Sequence, residues 1–137
     1  MSPNKSKAKG SAFEHEFVEM LISSIYGADA KRIPASGAMG TSLNEPLLEG
    51  DVKATFKGLN KPIRFELKAR TGSTQLAVKR EWMNKIKKEA EHSFAYPAVA
   101  CKLIGARKAD GVKFFVVFDF DTFCTLMEYI GKLESVV

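Results

Sequence analysis

Two neighbouring segments, 51–56 and 63–70, constrain the fold more than any other feature of the sequence. Every second residue in each segment is apolar: Val52, Ala54 and Phe56 in the first, and Ile63, Phe65, Leu67 and Ala69 in the second. A period of two is typical of a β-strand with one buried face. Because Gly58, Asn60 and Pro62 lie between the segments and favour turns, the two strands are predicted to form an antiparallel hairpin.

The polar face of this predicted hairpin carries two acids and a lysine. Glu66 and Lys68 are two residues apart, so their side chains leave the same face of the strand about 7 Å apart. A turn centred near Leu59 places Asp51 opposite either Glu66 or Lys68 when the two polar faces coincide. The sequence leaves both registers open, and either one gathers two carboxylates and one ammonium group.

Such a cluster suits metal-dependent hydrolysis of a phosphodiester. Two carboxylates near one point repel each other unless a cation lies between them, and oxygen ligands suit Mg²⁺, for which Mn²⁺ can substitute. The ion can activate water while a nearby lysine orients or deprotonates the nucleophile. A Glu-x-Lys pair alone is more often a solvent-facing ion pair, but the hairpin adds Asp51 to Glu66 and Lys68 and favours catalysis. No small-molecule cofactor is expected.

A helix predicted to begin at Ser11 and to end at Gly27 carries one more acid, Glu14. Phe13 and Phe17 lie on its apolar face. Glu14 borders that face, where it could reach the mouth of a sheet-based site. Ser11 and Glu14 also form the S-x-x-E pattern of a capping box at a helix N-terminus. The catalytic role and the capping role both stay open, and they do not exclude each other.

The rest of the chain predicts a mixed α/β architecture. Residues 31–50 show no sustained apolar period and are predicted to form a long loop. A short extended piece at 75–78, a basic helix over 79–91, central strands over 98–104 and 112–120, and a final helix from Asp121 to about Lys132 follow. This order implies a mixed central sheet of about five strands flanked by helices. Residues 1–10 are interpreted as a flexible basic arm and 11–137 as a single nuclease domain.

Charge favours a nucleic-acid partner. Lysine and arginine total 21 against 16 acidic residues, which gives a net charge of +5 and favours a polyanion. Cys101 and Cys124 both lie in apolar stretches, so buried reduced thiols and a cytoplasmic setting are expected, in a cell or encoded by a virus or phage. No apolar run approaches the ~20 residues of a membrane span, so no membrane association is expected.

The order of short motifs resembles that of the archaeal-type Holliday junction resolvases, a branch of the PD-(D/E)xK nuclease superfamily. The resemblance runs from Lys9 to about Phe118 and comprises KGSAFEHEF, PASG, GDVKA, FELKAR and YPAVACK, in that order. It implies a restriction-endonuclease-like fold and a homodimer that resolves four-way DNA junctions by paired symmetric nicks. It also suggests roles in DNA recombination and DNA repair.

The same resemblance implies roles for individual residues. Asp51, Glu66 and the carbonyl of Leu67 correspond to metal ligands, Lys68 to the catalytic lysine, Glu14 to a helix-borne acid at the metal and Ser36 to a residue near the scissile phosphate. This chain departs from the pattern at His15, where relatives often carry arginine. The stretch between Gly37 and Gly50 is also longer than expected.

Several basic and polar side chains are candidate DNA contacts. They are Lys9, His15, Lys31, Arg32, Ser36, Arg70, Lys79 and Arg80, together with Lys5, Lys7, Lys85, Lys87 and Lys88. Contacts of this kind position phosphates but do not read bases, so recognition of branch geometry fits them better. Two alternatives stay open: a nuclease of the same type acting on linear duplex, flaps or single strands, and a non-catalytic basic DNA-binding module.

Overall fold

The computed structural model describes residues 4–33, 51–72 and 75–136, with side chains described from residue 12 onward except at 108 and 136. Three helices and five strands follow one another along the chain. They are α1 (Asn4–Ser24), β1 (Asp29–Ile33), β2 (Asp51–Thr55), β3 (Ile63–Thr71), α2 (Arg80–His92), β4 (Tyr96–Ile104), β5 (Phe114–Val117) and α3 (Phe120–Val136). No described helix has the length and apolar character needed to span a membrane.

The five strands form one mixed sheet in the order β1-β2-β3-β4-β5. β1, β2 and β3 are antiparallel neighbours, and β4 and β5 pair antiparallel as well. β3 and β4 are parallel because helix α2 crosses between them and returns the chain to the same edge. The prediction of a restriction-endonuclease-like α/β fold, a mixed sheet of about five strands flanked by helices, is confirmed.

The two faces of the sheet are covered by different helices. On one face, Phe13 and Phe17 of α1 pack with Val52, Phe65 and residues of α3. The rings of Phe17 and Phe65 meet edge to face at 5.0 Å between centroids. Because neighbouring strand residues point to opposite faces, Glu66 and Lys68 lie on the other face.

That other face is covered in part by α2. Trp82 and Ile86 of this helix pack on Val99 and Cys101 of β4. The helix covers β3 and β4, so it lies directly over the polar residues of β3. The fold therefore places a helix above the residues that the sequence singles out.

One strand lies where the sequence predicted a loop. Residues 31–33 belong to β1. The segment of this strand, DAKRI, is mostly charged and only its Ala30 is buried, so it does not show the apolar pattern of a strand. The strand forms through backbone pairing with β2, a tertiary interaction that periodicity does not report. The extended piece predicted at 75–78 is not a strand, so the expected number of strands is right, but one predicted strand is absent and β1 was not predicted.

Helix α1 begins earlier than predicted. It starts at Asn4 rather than Ser11, because lysine and alanine in 4–9 are good helix formers. The predicted start of the helix at Ser11 is therefore wrong, whereas the division of the chain into an arm and one domain stays a prediction. Ser11 therefore lies inside the helix and cannot be its N-cap, so the capping-box interpretation of Ser11 and Glu14 is wrong.

Three smaller expectations also need correction. β5 is an edge strand, not a central one. Helix α3 begins one residue before Asp121, and Asp119 is the residue that accepts a hydrogen bond from the backbone N–H of Thr122, at 3.4 Å. Both cysteines are free, but Cys124 is exposed, because it does not lie on the side of α3 that packs on the sheet, whereas Cys101 is buried.

Candidate active site

The hairpin of β2 and β3 has one of the two registers that the sequence allowed. Asp51 is paired directly with Glu66, so the turn brings the two carboxylates onto adjacent positions of one face. Asp51, Glu66 and Lys68 are all buried, and the Glu66 side chain is fully so. The predicted gathering of these three residues is therefore seen in the structure.

Helix α2 adds a third carboxylate. Glu89 lies over the β2–β3 hairpin, and one oxygen of each of Asp51, Glu66 and Glu89 lies within 4.8 Å of the others. We call these three residues the acidic cluster. Sequence reasoning missed Glu89, although the signal was present: it directly precedes Ala90, which faces inward on α2.

Burial and mutual repulsion raise the pKa values of two acids in the acidic cluster. Burial, followed by the nearby Asp51 carboxylate, raises the pKa of Glu66 to about 8. The same two causes raise the pKa of Glu89 to about 7. Glu66 Oε1 and Glu89 Oε2 are buried and accept no hydrogen bond. Buried polar atoms nearly always have a hydrogen-bond partner, so these two oxygens favour the binding of a cation or a proton.

Three basic side chains lie beside the acidic cluster without satisfying it. Arg64 donates from Nε and Nη2 to Asp51 Oδ2 at 3.1 and 3.0 Å. Lys85 Nζ and Lys68 Nζ lie 3.5 and 3.9 Å from Glu66 Oε2. These contacts fall on Asp51 Oδ2 and Glu66 Oε2, and the Oε1 atom of Glu66 accepts no hydrogen bond.

The donor set fits a small divalent cation. Asp51, Glu66 and Glu89 offer only carboxylate oxygens, the ligands preferred by Mg²⁺ and Mn²⁺. The orphaned Oε1 atom of Glu66 is the observation that tests the fit, because a cation at the centre of the cluster would satisfy it. The raised pKa values of Glu66 and Glu89 fit the same cation, because bound metal would replace the protons that the crowded acids retain.

Lys68 is held in place by an aromatic ring. Its Nζ atom lies 5.2 Å from the centroid of Trp82, which is also approached by Arg70 and Lys79 at 5.1 and 5.9 Å. Trp82 is itself buried and packs with Ile86, Val99 and Cys101. The ring therefore keeps a group of cations at the end of the acidic cluster.

Glu14 is not brought into the acidic cluster. Its buried carboxylate accepts a hydrogen bond from Arg32 Nε at 2.7 Å, and Arg32 Nη1 lies 2.9 Å from His15 Nε2. Arg32 pairs with Val52 in the sheet, so this pair belongs to the face that α1 covers. A matched cation satisfies Glu14, and its role at the metal stays a prediction.

The predicted DNA contacts are dispersed over the surface. Lys31 is exposed on β1, directly opposite Lys53, which in turn pairs with Arg64. Like charges placed opposite each other are unfavourable, so Lys31 and Lys53 favour an anionic partner, whereas Arg64 is already bonded to Asp51. Lys79 and Arg80 are exposed at the start of α2, whereas Ser36, the 37–50 stretch and the side chains of Lys5, Lys7 and Lys9 lie outside the described residues.

Comparison with known protein families adds an independent finding. Residues 5–128 match the family described as "Phage putative PDDEXK endonuclease". The chain belongs to this family. The matched range includes the whole hairpin and therefore Asp51, Glu66 and Lys68. Nucleases of this type usually use a divalent metal, which agrees with the acidic cluster. No curated protein matched the chain in a sequence search.

Proposed function

We propose that this nuclease is a Mg²⁺-dependent endonuclease that resolves four-way DNA junctions as a homodimer, through paired symmetric nicks. The observation that carries the nuclease chemistry is the buried, unsatisfied Oε1 atom of Glu66 inside the acidic cluster. Support for the junction substrate comes from the order of sequence motifs, and it extends to a role in DNA recombination or repair. Lys31 and Lys53, which lie opposite each other on β1 and β2, favour contact with a phosphate backbone.

The residues of the site divide the work of hydrolysis. Asp51, Glu66 and Glu89 would hold the cation, with the carbonyl of Leu67 as a further ligand. When bound, Mg²⁺ supplies Lewis acidity at the scissile phosphate and lowers the pKa of water. Lys68, restrained against Trp82, offsets charge that develops on the phosphate and orients the attacking water. Ser36 is proposed to act at the edge of this site, whereas Glu14 would act there only by exchanging its bond with Arg32 for the metal.

An apolar stripe on α3 supports the homodimer. Phe123, Met127, Ile130 and Leu133 lie on one side of the helix, with exposures between 42% and 48%. A two-fold axis across the helix would cover this stripe with its own copy, as in other helix pairs. Met127→Glu is expected to turn a dimer into a monomer in light-scattering measurements and to uncouple the two nicks. A dimer that survives this change would place the interface elsewhere.

The cleavage proposal is tested with an immobile four-way junction and purified protein in Mg²⁺. We expect paired, symmetric nicks from the wild type and none from Asp51→Asn. Asp29→Asn is the matched control, because Asp29 is an exposed acid at the far end of β1. An Asp51→Asn variant that cuts as fast as the wild type would overturn the proposal.

Competition experiments separate the junction from other substrates. A labelled junction is challenged with unlabelled linear duplex, flap or single-stranded DNA of equal length. The junction hypothesis expects only the unlabelled junction to compete at equal concentration. Equal competition by linear duplex or flaps would assign the nuclease to another DNA substrate.

A non-catalytic DNA-binding module is the remaining alternative. In that case the acidic cluster would be an ordinary ion-pair network, and DNA binding would not respond to divalent metal. Calorimetry should detect Mn²⁺ binding by the wild type and its loss in Glu66→Gln. Equal Mn²⁺ binding by both proteins would favour the alternative.

A further inference from the structure

Helix α2 ends in a conformation that its sequence does not favour. Ser93 N and Ala95 N both donate to the carbonyl of Ala90, at 3.1 and 3.0 Å. This pattern closes a helix with one residue in the left-handed region, a position usually taken by glycine. Here the residue is Phe94, with φ of 52°, the one non-glycine residue with positive φ among the described residues. A side chain at this position strains the backbone.

Packing does not compensate for this strain. Phe94 is 80% exposed, so its ring contributes almost nothing to the core. A polar residue or a glycine would cap α2 at lower free energy and without an apolar ring in water. Strained residues that packing does not explain are concentrated at functional sites.

A cavity lies next to the acidic cluster, and Ser93, the residue before Phe94, forms part of its wall. The cavity is lined by Arg64, Lys85, Lys88, Glu89, His92 and Ser93. Arg64 links it to the acidic cluster, because its Nη1 atom lies 3.5 Å from Ser93 Oγ while its Nη2 atom bonds Asp51. Three of the lining side chains are cationic and one, Glu89, is acidic, so the lining carries net positive charge, which favours an anionic ligand such as a phosphate.

We propose that Phe94 is a base-stacking residue and that the cavity beside it binds a phosphate of the same DNA strand. Exposed aromatic rings next to basic grooves bind single-stranded DNA in this way, because every base has a π-face. Stacking on Phe94 requires a base that is free of its neighbours. The inference rests on the proposed nuclease function, and it narrows the substrate to DNA with an unpaired or unstacked nucleotide beside the cut.

The proposal predicts that stability and DNA binding change in opposite directions in Phe94→Gly. Glycine relieves the positive φ, so the midpoint of thermal unfolding should rise by a few degrees. The affinity for a single-stranded oligonucleotide should fall about 5- to 150-fold, the range found for loss of one aromatic stacking partner. Phe94→Trp should retain the affinity.

Binding is measured in EDTA by fluorescence anisotropy, so that it does not depend on metal-dependent cleavage. An oligonucleotide with 2-aminopurine reports stacking directly, because its fluorescence should be quenched by the wild type and by Phe94→Trp but not by Phe94→Gly. Tyr26→Ala is the matched control: Tyr26 is 88% exposed, but it lies beyond the end of α1 and contacts Lys57. This variant should bind and quench as the wild type does.

The outcomes separate this inference from the nuclease proposal. If Phe94→Gly binds and quenches like the wild type, the stacking role is wrong, whatever Asp51→Asn does to cleavage. If Phe94→Gly instead changes only the oligomeric state, the ring belongs to a protein interface and the stacking role is also wrong. Loss of quenching together with a higher unfolding midpoint supports it, even if cleavage proves to have another substrate.

Discussion

The two faces of the sheet each bury acidic side chains, and they treat them differently. On the face covered by α1, Glu14 meets Arg32 at 2.7 Å, and Glu16 meets Lys102 at 2.6 Å. On the face covered by α2, Glu66 Oε1 and Glu89 Oε2 accept no hydrogen bond, and the nearest cation printed for Glu89 Oε2, Arg64 Nη2, lies 3.9 Å away. On the first face, a basic side chain of the same chain pairs with each of these acids. On the second face, a cation or a proton is needed to balance the acids.

This difference separates a structural acid from a metal-binding one. An acid whose charge is matched inside the protein contributes to stability, and its removal costs stability first. An acid crowded against other acids costs stability in the metal-free protein and is retained for what it binds. The two faces therefore predict opposite effects for the same kind of substitution.

The largest effect is expected from a pair of lysines, one on each face. Lys68→Ala should lower kcat about 100- to 1000-fold, the usual cost of losing one group that stabilises developing charge. Lys102→Ala, on the α1 face, should keep kcat and lose only stability because it breaks the contact with Glu16. Single-turnover cleavage in saturating Mg²⁺ measures the rate of cleavage by both variants. Equal loss of kcat in the two variants would remove the distinction between the faces.

Metal affinity gives the next largest contrast. Glu89→Gln should weaken Mn²⁺ binding at least about 10-fold, because one of three carboxylates is lost from the acidic cluster. Glu14→Gln should bind Mn²⁺ as tightly as the wild type, since Arg32 already occupies that carboxylate. Titration calorimetry distinguishes the two. Loss of Mn²⁺ binding in Glu14→Gln would show that Glu14 reaches the metal, as the sequence resemblance implies.

The hairpin and the acids of the two faces show what the sequence could predict. Asp51 and Glu66 were placed correctly because strand alternation and a short turn fix the parity of their pairing, which is local information. Glu89 was missed: its position next to the inward-facing Ala90 puts it near the inner side of α2, but only the packing of α2 over the sheet brings it to Asp51 and Glu66. The charged strand β1 was missed for a related reason: its stability comes from pairing with β2. Glu14 was recognised as an acid near the sheet, but not as a partner of Arg32.

In the absence of metal, the stability of the two variants should follow the reverse of the order expected for their metal binding. Glu14→Gln removes a buried, charge-assisted hydrogen bond and should lower the free energy of unfolding by about 1 to 3 kcal/mol. Glu89→Gln removes one charge from a crowded cluster and should leave that free energy unchanged or raise it. Urea denaturation in EDTA measures both variants. A larger loss in Glu89→Gln than in Glu14→Gln would contradict the comparison.

The pH dependence of stability is the effect most specific to the acidic cluster. The pKa of Glu66 is raised to about 8 and that of Glu89 to about 7, so the folded protein retains protons that the unfolded chain releases near its ordinary carboxyl pKa. When the folded state binds more protons, stability falls as pH rises. Metal-free protein should therefore lose stability between about pH 5 and pH 8. Glu66→Gln should flatten this dependence, and Mg²⁺ should restore stability most strongly at pH 8, because bound metal replaces the lost protons. A profile that is equally steep in Glu66→Gln would place the responsible groups outside the acidic cluster.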